Sequence, residues 1–212
     1  MKKLKILVGC EESQAVTIEL RKLGHDAFSC DLLHCSGGYP EYHFQKDIFE
    51  VIKVKKWDLI IAFPPCTYLS NAGACRLYPQ KGTINYLRYE KGMEAKDFFM
   101  RILNSDCEFI ALENPVSSKI FKMPKHSQEI QPYEYGHPYK KKTRIWLKNL
   151  PNLKPTKIIT DNVGSWVNAG SKDHLGNARK IIGKKVSKLE RSKTFQGIAE
   201  AMAKQWTQYI LK

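Results

Sequence analysis

The sequence predicts an α/β protein with a Rossmann-like parallel sheet that carries helices on both faces. The opening residues alternate strand, helix and strand, at 5–10, 13–23 and 26–30, as is typical of a right-handed β-α-β unit. Residues 58–63 are apolar with no polar face, as expected of a central strand covered on both sides. Hydrophobic content of 42% and charged content of 26% in 212 residues indicate one globular domain with a small insertion.

The first helix is expected to begin at Ser13, whose hydroxyl can cap it, and to end at Gly24. The second strand then ends at Asp31. An acid at the carboxyl end of a second strand, about twenty residues after the first turn, commonly accepts the hydroxyl pair of a ribose. Asp31 is therefore a candidate ribose ligand, and the alternative is an ordinary strand-end acid.

A loop is predicted over residues 32–44, which contain glycines and a proline, and a short helix is predicted over 48–54. Asp47 precedes this helix and has two interpretations. It can cap the helix N-terminus, or it can bind an exocyclic amine from the same loop. The sequence leaves both interpretations open.

The central strand ends abruptly at Pro64 and Pro65, because proline cannot continue a β-ladder. Cys66 follows directly, so its thiol is expected at the carboxyl edge of the sheet, where open α/β sheets bind ligands. The alternative is one more small buried hydrophobe. The double-proline exit favours a functional thiol.

A second apolar strand, 107–112, releases Glu113 and Asn114 at the same edge. A glutamate in that place is expected to have a raised pKa and to be able to donate a proton. The alternative is a solvent-exposed glutamate without a partner. Between the two strands the sequence predicts a loop over 71–82 and a helix over 83–103. The apolar face of that helix is expected to comprise Leu87, Met93, Phe98, Phe99 and Ile102.

A further strand is predicted over residues 143–147. Successive side chains of a strand alternate between its two faces, so Arg144 and Trp146 are expected on one face. Thr143 and Ile145 are then expected on the other face.

The rest of the chain divides into an irregular segment, 151–190, and a closing helix, 194–211. The irregular segment is rich in Pro, Gly, Asn and Lys, and we expect it to be a small insertion. The apolar stripe of the closing helix comprises Phe195, Ile198, Ala199, Met202, Trp206 and Ile210.

Positive charge is concentrated in residues 138–193, which hold fifteen Lys and Arg against three acids. This basic block therefore carries +12 of the formal net charge of +14. Aromatic side chains lie among these cations, and that combination favours a nucleic-acid surface, because cations contact phosphates and rings stack on bases. The alternative is a lysine-rich face that only aids solubility.

The six cysteines lie far apart and include no C-x-x-C pair, so reduced thiols are expected rather than a disulfide framework. Cys30, His34, Cys35 and His43 do not have the spacing of a standard metal site, and no metal is predicted. The apolar run at the N-terminus is only a strand's length, so neither a signal peptide nor a membrane span is expected. We interpret the protein as cytoplasmic.

The ordered set of motifs resembles DNA cytosine methyltransferases that act at carbon 5, particularly compact members from phages and prophages. The family's P-C turn is similar to Pro65-Cys66, and its E-N-V turn is similar to Glu113-Asn114-Pro115. Its Q-x-R-x-R strand resembles residues 140–144, and its closing helix resembles 194–206. The likeness covers 1–150 and 191–212.

The resemblance implies that the Cys66 thiolate attacks carbon 6 of cytosine, which makes carbon 5 nucleophilic. Glu113 would then protonate or hydrogen-bond ring nitrogen 3, and Arg144, with Lys142 nearby, would hold the carbonyl oxygen. Further substrate contacts are implied at Pro65, Asn114, Lys140 and Trp146.

The implied methyl donor is S-adenosylmethionine, with Asp31 at its ribose and Asp47 near its adenine. The remaining cofactor contacts are implied at Gly9, Cys10, Glu11, Ser13 and Pro64. The first turn, residues 9–13, has fewer glycines than the family's first turn. Lysines replace the first two polar members of Q-x-R-x-R.

The resemblance also implies a catalytic domain formed by 1–150 and 191–212, with a small basic target-recognition-like insertion at 151–190. DNA would be the partner, held by the basic block, and the target base would have to leave the duplex stack. Two alternatives remain open. One is a catalytically degenerate methyltransferase fold that binds nucleic acid or cofactor as a regulator or inhibitor, and the other is a methyltransferase that acts on RNA or on a free cytosine nucleotide.

Overall fold

A mixed β-sheet organises the part of the chain that the computed structural model describes, residues 2–80, 82–166 and 192–212. Nine strands are found in these residues: β1 (Lys5–Gly9), β2 (Asp26–Asp31), β3 (His43–Gln45), β4 (Leu59–Ala62), β5 (Phe109–Pro115), β6 (Gln128–Ile130), β7 (Tyr139–Lys140), β8 (Thr143–Lys148) and β9 (Gly164–Ser165). Seven of them form the main sheet, in the order β3-β2-β1-β4-β5-β8-β6, and β7 pairs with β9 separately.

The strands from β1 to β5 pair in parallel, and β8 is antiparallel to both β5 and β6. The strand order reverses direction beside β1, where β2 lies on one side and β4 on the other. Ligands of open α/β sheets bind at the carboxyl ends of strands around such a switch point. The α/β class and the Rossmann-like parallel sheet predicted from the sequence are confirmed.

Helices cover both faces of the sheet. In the described residues they are α1 (Ala15–Lys22), α2 (Ile48–Ile52), α3 (Ala74–Leu77), α4 (Tyr86–Leu103) and α5 (Gln196–Ile210). Side chains of α1 and α5 share one buried cluster with Ile6 and Val8, whereas α2 and α4 share another with Leu7. These two surfaces of the sheet are named below the α1–α5 face and the α2–α4 face. Their alternation along β1 follows from the two-residue period of a strand.

Several local predictions were wrong. Residues 43–45 and 128–130, which were not predicted as strands, are β3 and β6 at the two edges of the sheet. Ser13 does not cap α1, because the helix begins two residues later, at Ala15, and Gln14 occupies the N-cap position in a left-handed conformation. Leu87, predicted on the apolar face of the helix, is exposed to solvent in the first turn of α4.

Other predicted boundaries and contacts are confirmed. Gly24 ends the first helix with φ +87°, a conformation that glycine adopts without strain. Asp47 caps α2, since its carboxylate accepts a hydrogen bond from the Phe49 amide at 2.7 Å. On α5, the predicted residues Ile198, Ala199, Met202 and Trp206 are buried.

The start of the predicted insertion packs onto the sheet and onto α5. Leu153 is buried in the core of the α1–α5 face, and the Trp206 indole donates to the Pro151 carbonyl at 3.1 Å. Residues 167–191 lie outside the described residues, so the domain division at 151–190 stays a prediction. Among the described residues, no helix is both long and apolar enough to cross a lipid bilayer.

Candidate active site

Cys66 lies in a tight turn directly after β4. Pro64 is buried and Pro65 is exposed, and the Cys66 carbonyl accepts hydrogen bonds from the amides of Leu69 and Ser70 at 3.1 and 2.8 Å. The Cys66 side chain is half-buried. The structure therefore places this thiol at the carboxyl edge of the sheet, where the sequence predicted it.

The Cys66 turn is held against the end of β5 and the segment that follows it. The buried side chain of Asn114 donates to the Pro64 carbonyl at 2.8 Å. Two backbone hydrogen bonds, Asn71 to Val116 and Ser118 to Leu69, continue the contact at 2.8 Å each. Asn114, predicted to bind substrate, thus positions the backbone of the turn that carries Cys66.

Glu113 lies on the α1–α5 face, next to a cavity of about 20 Å³. Burial raises the pKa of its carboxyl, and the positive charge of Lys141 and a hydrogen bond with Thr143 partly oppose that rise. The side chain is only half-buried by area, because it faces the cavity rather than packed atoms. The raised pKa expected from the sequence is confirmed in direction, and a carboxyl with a raised pKa can hold a proton for donation.

Arg144 and Lys142 do not meet Glu113. β8 places Ile145 opposite Glu113 and Arg144 opposite Asn114, so Arg144 belongs to the α2–α4 face. Both cations pair with Glu129 of β6, at 2.9 Å from Arg144 and 3.1 Å from Lys142. Strand alternation thus turns Arg144 to the other side of the sheet from Glu113. The roles predicted for Arg144 and Lys142, at the carbonyl oxygen of the base, stay predictions.

Trp146 is a core residue rather than a substrate contact. Its ring is 3% exposed and packs edge to face on Phe99 at 5.0 Å. Its indole nitrogen donates to the Pro124 carbonyl at 2.9 Å. Lys140, another predicted substrate contact, is exposed in the small β7–β9 pair.

Three of the predicted cofactor residues converge at the carboxyl ends of β1 and β2. Cys10 follows β1 with φ +56°, and Asp31 and Asp47 are both close enough to influence its thiol. Burial first, and then the charges of Asp31, Cys30 and Asp47, raise the pKa of Cys10. Gly9 allows this convergence, because a Cβ there would lie 2.0 Å from the Ile48 side chain.

Glu11 caps α1 instead of facing a ligand. Its carboxylate is 3% exposed and accepts hydrogen bonds from the amides of Val16 and Thr17, at 2.7 and 3.3 Å, and from the Thr17 hydroxyl at 2.8 Å. The predicted cofactor contact at Glu11 is corrected for this reason. Ser13 does not form the predicted cap, since Gln14 occupies the N-cap position, and its cofactor contact stays a prediction.

The donor set at this edge fits the ribose and base of S-adenosylmethionine better than its amino-acid end. Asp31 and Asp47 each use one carboxylate oxygen on a neighbouring amide, Leu33 at 2.9 Å and Phe49 at 2.7 Å. A carboxylate accepts several hydrogen bonds, so both retain capacity for hydroxyl or amino donors. Two N-terminal amides of α1 that could receive a carboxylate, those of Val16 and Thr17, are already bonded to Glu11.

The basic block is described only in part, because residues 167–191 lie outside the described residues. Its described and exposed cations are Lys140, Lys142, Lys154 and Lys157. No group of three or more potential metal ligands occurs in the described residues. No disulfide joins any of the six cysteines, all of which the structure describes.

Lys141 and Thr143 are the site residues that sequence reasoning missed. Both line the cavity beside Glu113. The two-residue period of a strand correctly placed Thr143 and Arg144 on different faces of β8. It could not say which of these two faces carries Glu113. Only the register of β8 on β5 decides that.

No protein-family model matches the sequence, and no curated protein matches it. Solved structures with a similar fold include one described as a DNA modification methyltransferase encoded within an E. coli prophage. It is 15% identical with a TM-score of 0.45, over 74% of this chain and 52% of that one. The S. pombe Dnmt2 methyltransferase is 14% identical with a TM-score of 0.42, over 71% of this chain and 51% of its own. The chain thus spans about half the length of these structures, and similarity of this degree concerns the fold alone.

Proposed function

We propose that the protein transfers a methyl group from S-adenosylmethionine to carbon 5 of cytosine in DNA, with Cys66 as the nucleophile. The observation that carries the proposal is the junction between two strand ends. Asn114 and its neighbouring backbone bonds hold the Cys66 turn against the strand that presents Glu113. A thiol and a carboxyl with a raised pKa therefore come from adjoining segments of one sheet edge, as acid-assisted covalent catalysis requires.

Cys66 and Glu113 carry out the addition step. The Cys66 thiolate forms a bond to carbon 6, and the electrons of the carbon 5–carbon 6 double bond move into the ring. Ring nitrogen 3 takes the Glu113 proton as that charge develops, so the negative charge passes to the Glu113 carboxylate. Once carbon 5 carries the methyl group, ring nitrogen 3 returns its proton to Glu113. A water molecule then removes the carbon 5 proton, the electrons of that bond re-form the carbon 5–carbon 6 double bond, and the carbon 6–sulfur bond breaks to release the Cys66 thiolate.

Asp31 and Asp47 would hold the cofactor, through its ribose hydroxyls and its adenine amine respectively. When bound, S-adenosylmethionine supplies an electrophilic methyl group to carbon 5. Lys140, Lys154 and Lys157, which are exposed, would contact DNA phosphates, and the target base would be read outside the stack.

The test uses DNA that contains 5-fluorocytosine together with labelled S-adenosylmethionine. Fluorine at carbon 5 cannot leave as a proton does, so the Cys66 adduct should persist and carry the label through denaturing electrophoresis. Cys66→Ser should form no adduct. Cys75→Ser is the matched control, because Cys75 is exposed in the adjacent helix α3, and it should trap DNA as the wild type does. A labelled adduct in Cys66→Ser would remove Cys66 from the mechanism.

The closed N-terminus of α1 favours a second candidate function. Because Glu11 already occupies the amides of Val16 and Thr17, the amino-acid end of the cofactor loses an obvious anchor. A methyltransferase fold without catalysis, acting as a nucleic-acid-binding regulator, agrees with that feature. Calorimetric titration with S-adenosylmethionine separates the two functions, since a regulator that binds no cofactor would give no binding heat while still binding DNA.

The trapping assay described above, repeated with RNA or with a free cytosine nucleotide, tests the remaining substrates.

A further inference from the structure

The cation that faces Glu113 comes from a different position than the resemblance implies. Side chains directly opposite each other in an antiparallel pair point to the same face. Glu113 is opposite Ile145, which is buried in the core of the α1–α5 face, whereas Trp146 is buried on the α2–α4 face. Core packing and strand register therefore agree that odd-numbered residues of β8 share the face of Glu113.

Two polar groups on that face act directly on the carboxyl. Thr143 is buried and lines the same cavity as Glu113, where its hydroxyl lowers the pKa of the carboxyl. The same hydroxyl donates to the Lys141 carbonyl at 3.2 Å. Lys141 also lines this cavity, beside apolar side chains that include Phe63 and Phe195. Gln131 fixes the Lys141 backbone, since the Lys141 amide donates to its side-chain oxygen at 2.9 Å.

The even-numbered cations are engaged elsewhere. Glu129 lies between Lys142 and Arg144 and accepts from both. These two cations, Arg144 first, lower the pKa of Glu129. Lys142 and Arg144 therefore pair with an acid of β6, on the opposite face of the sheet from Glu113.

We propose that Lys141 and Thr143 are the positioning residues of Glu113 and that they stabilise its carboxylate once the proton has passed to the cytosine ring. This inference rests on the proposed function for the identity of the proton acceptor. The mechanism is electrostatic: a low-dielectric cavity favours the neutral acid before transfer, and a fixed cation with a hydroxyl donor favours the anion after it. Lys142 and Arg144 have no part in that step.

The first readout is the pKa of Glu113 in the cofactor-free protein, which does not depend on methyl transfer. It is obtained from the pH dependence of urea unfolding, as the difference between each variant and the same variant that also carries Glu113→Gln. Lys141→Met keeps most of the aliphatic stem and removes the charge, so the Glu113 pKa should rise. Lys141→Arg should restore the wild-type value. Lys142→Met is the matched control and should leave the Glu113 pKa unchanged.

The second readout is the pH profile of kcat for methyl transfer. Activity that needs protonated Glu113 falls as pH rises through its pKa, so Lys141→Met should move this alkaline limb to higher pH and lower kcat by about tenfold to a hundredfold. Lys142→Met should leave the limb in place.

A rise of the Glu113 pKa with Lys142→Met and not with Lys141→Met, or with neither variant, would overturn the inference. Absence of methyl transfer in every protein, with the pKa response intact, would instead overturn the proposed function alone.

Discussion

The Glu11 carboxylate closes the N-terminus of α1, and its removal separates a structural role from a cofactor role. Glu11→Ala removes the hydrogen-bond acceptor of two buried amides, those of Val16 and Thr17. A lost N-terminal cap costs about 0.5–2 kcal/mol, and each buried donor without a partner adds about 1–3 kcal/mol. The hydrogen bond from the Thr17 amide is long, at 3.3 Å, so its loss should cost little. We therefore expect the free energy of unfolding near pH 5 to fall by about 2–4 kcal/mol. That is a large share of a typical stability of about 5–15 kcal/mol.

The effect should depend on pH in a defined direction. Burial raises the pKa of Glu11 from 4.5 to about 7, and its hydrogen bonds with Val16 and Thr17 oppose that rise only in part. The folded protein therefore holds the Glu11 proton between these two values while the unfolded chain does not. The contribution is complete below pH 4.5 and is lost as pH rises through about 7, by up to about 3 kcal/mol. The stability difference between wild type and Glu11→Ala should shrink accordingly.

The assay is urea unfolding followed by circular dichroism at several pH values, with calorimetric titration of S-adenosylmethionine on the same proteins. Glu12→Ala is the matched control, because Glu12 is half-buried and bonds the Ser36 side chain at the surface of the same turn. It should change the unfolding free energy by less than about 1 kcal/mol. A Glu11→Ala protein of wild-type stability that no longer bound S-adenosylmethionine would refute the capping role and restore the cofactor role predicted from the sequence.

Three further perturbations test the placement of single residues. Trp146→Ala should lower the free energy of unfolding by about 3–5 kcal/mol, because it empties a core position; a variant that unfolded like the wild type but bound DNA weakly would contradict that placement. Asn114→Ala should cost about 1–3 kcal/mol, because it leaves the Pro64 carbonyl without its donor, and it should slow methyl transfer; unchanged unfolding would show that the contact is dispensable. Gly197→Ala should cost about 1–3 kcal/mol, since its Cβ would lie 1.9 Å from the Tyr135 carbonyl oxygen; an unchanged melting temperature would show that α5 shifts without cost.

The strand ends were predictable because proline and apolar runs act locally. Pro64 and Pro65 stop the central strand whatever surrounds them, so the position of Cys66 could be inferred before any contact was known. The same holds for Asp47, whose cap on α2 needs only the residues that follow it. The edge strands β3 and β6 were not predictable, because three residues carry too little periodicity to be told from a loop.

The residues of the site divide in the same way. Glu113 was identified because it follows an apolar run, although the strand continues through it to Pro115, and burial raises the pKa of its carboxyl as expected. Glu11 was assigned to the cofactor from its place in the first turn, but it accepts hydrogen bonds from Val16 and Thr17 across a turn in which Gln14 is left-handed, and the sequence pattern gave no sign of that turn. Trp146 was assigned to the substrate from the resemblance, and only its packing against Phe99 of α4 shows that its ring lies in the core.

The sequence by itself determined the α/β class, the parallel order of the first strands and the place where Cys66 leaves the sheet, because each of these follows from local propensity and chain direction. It placed the end of the next strand before Glu113, whereas β5 continues to Pro115. Only the tertiary structure decided which side chains meet at that edge. The face shared by Glu113, Lys141 and Thr143 depends on how β8 is registered on β5, and a shift of one residue would exchange it for the face of Lys142 and Arg144. No pattern within a single strand contains that choice, since strand register is a relation between two segments that are distant in the chain.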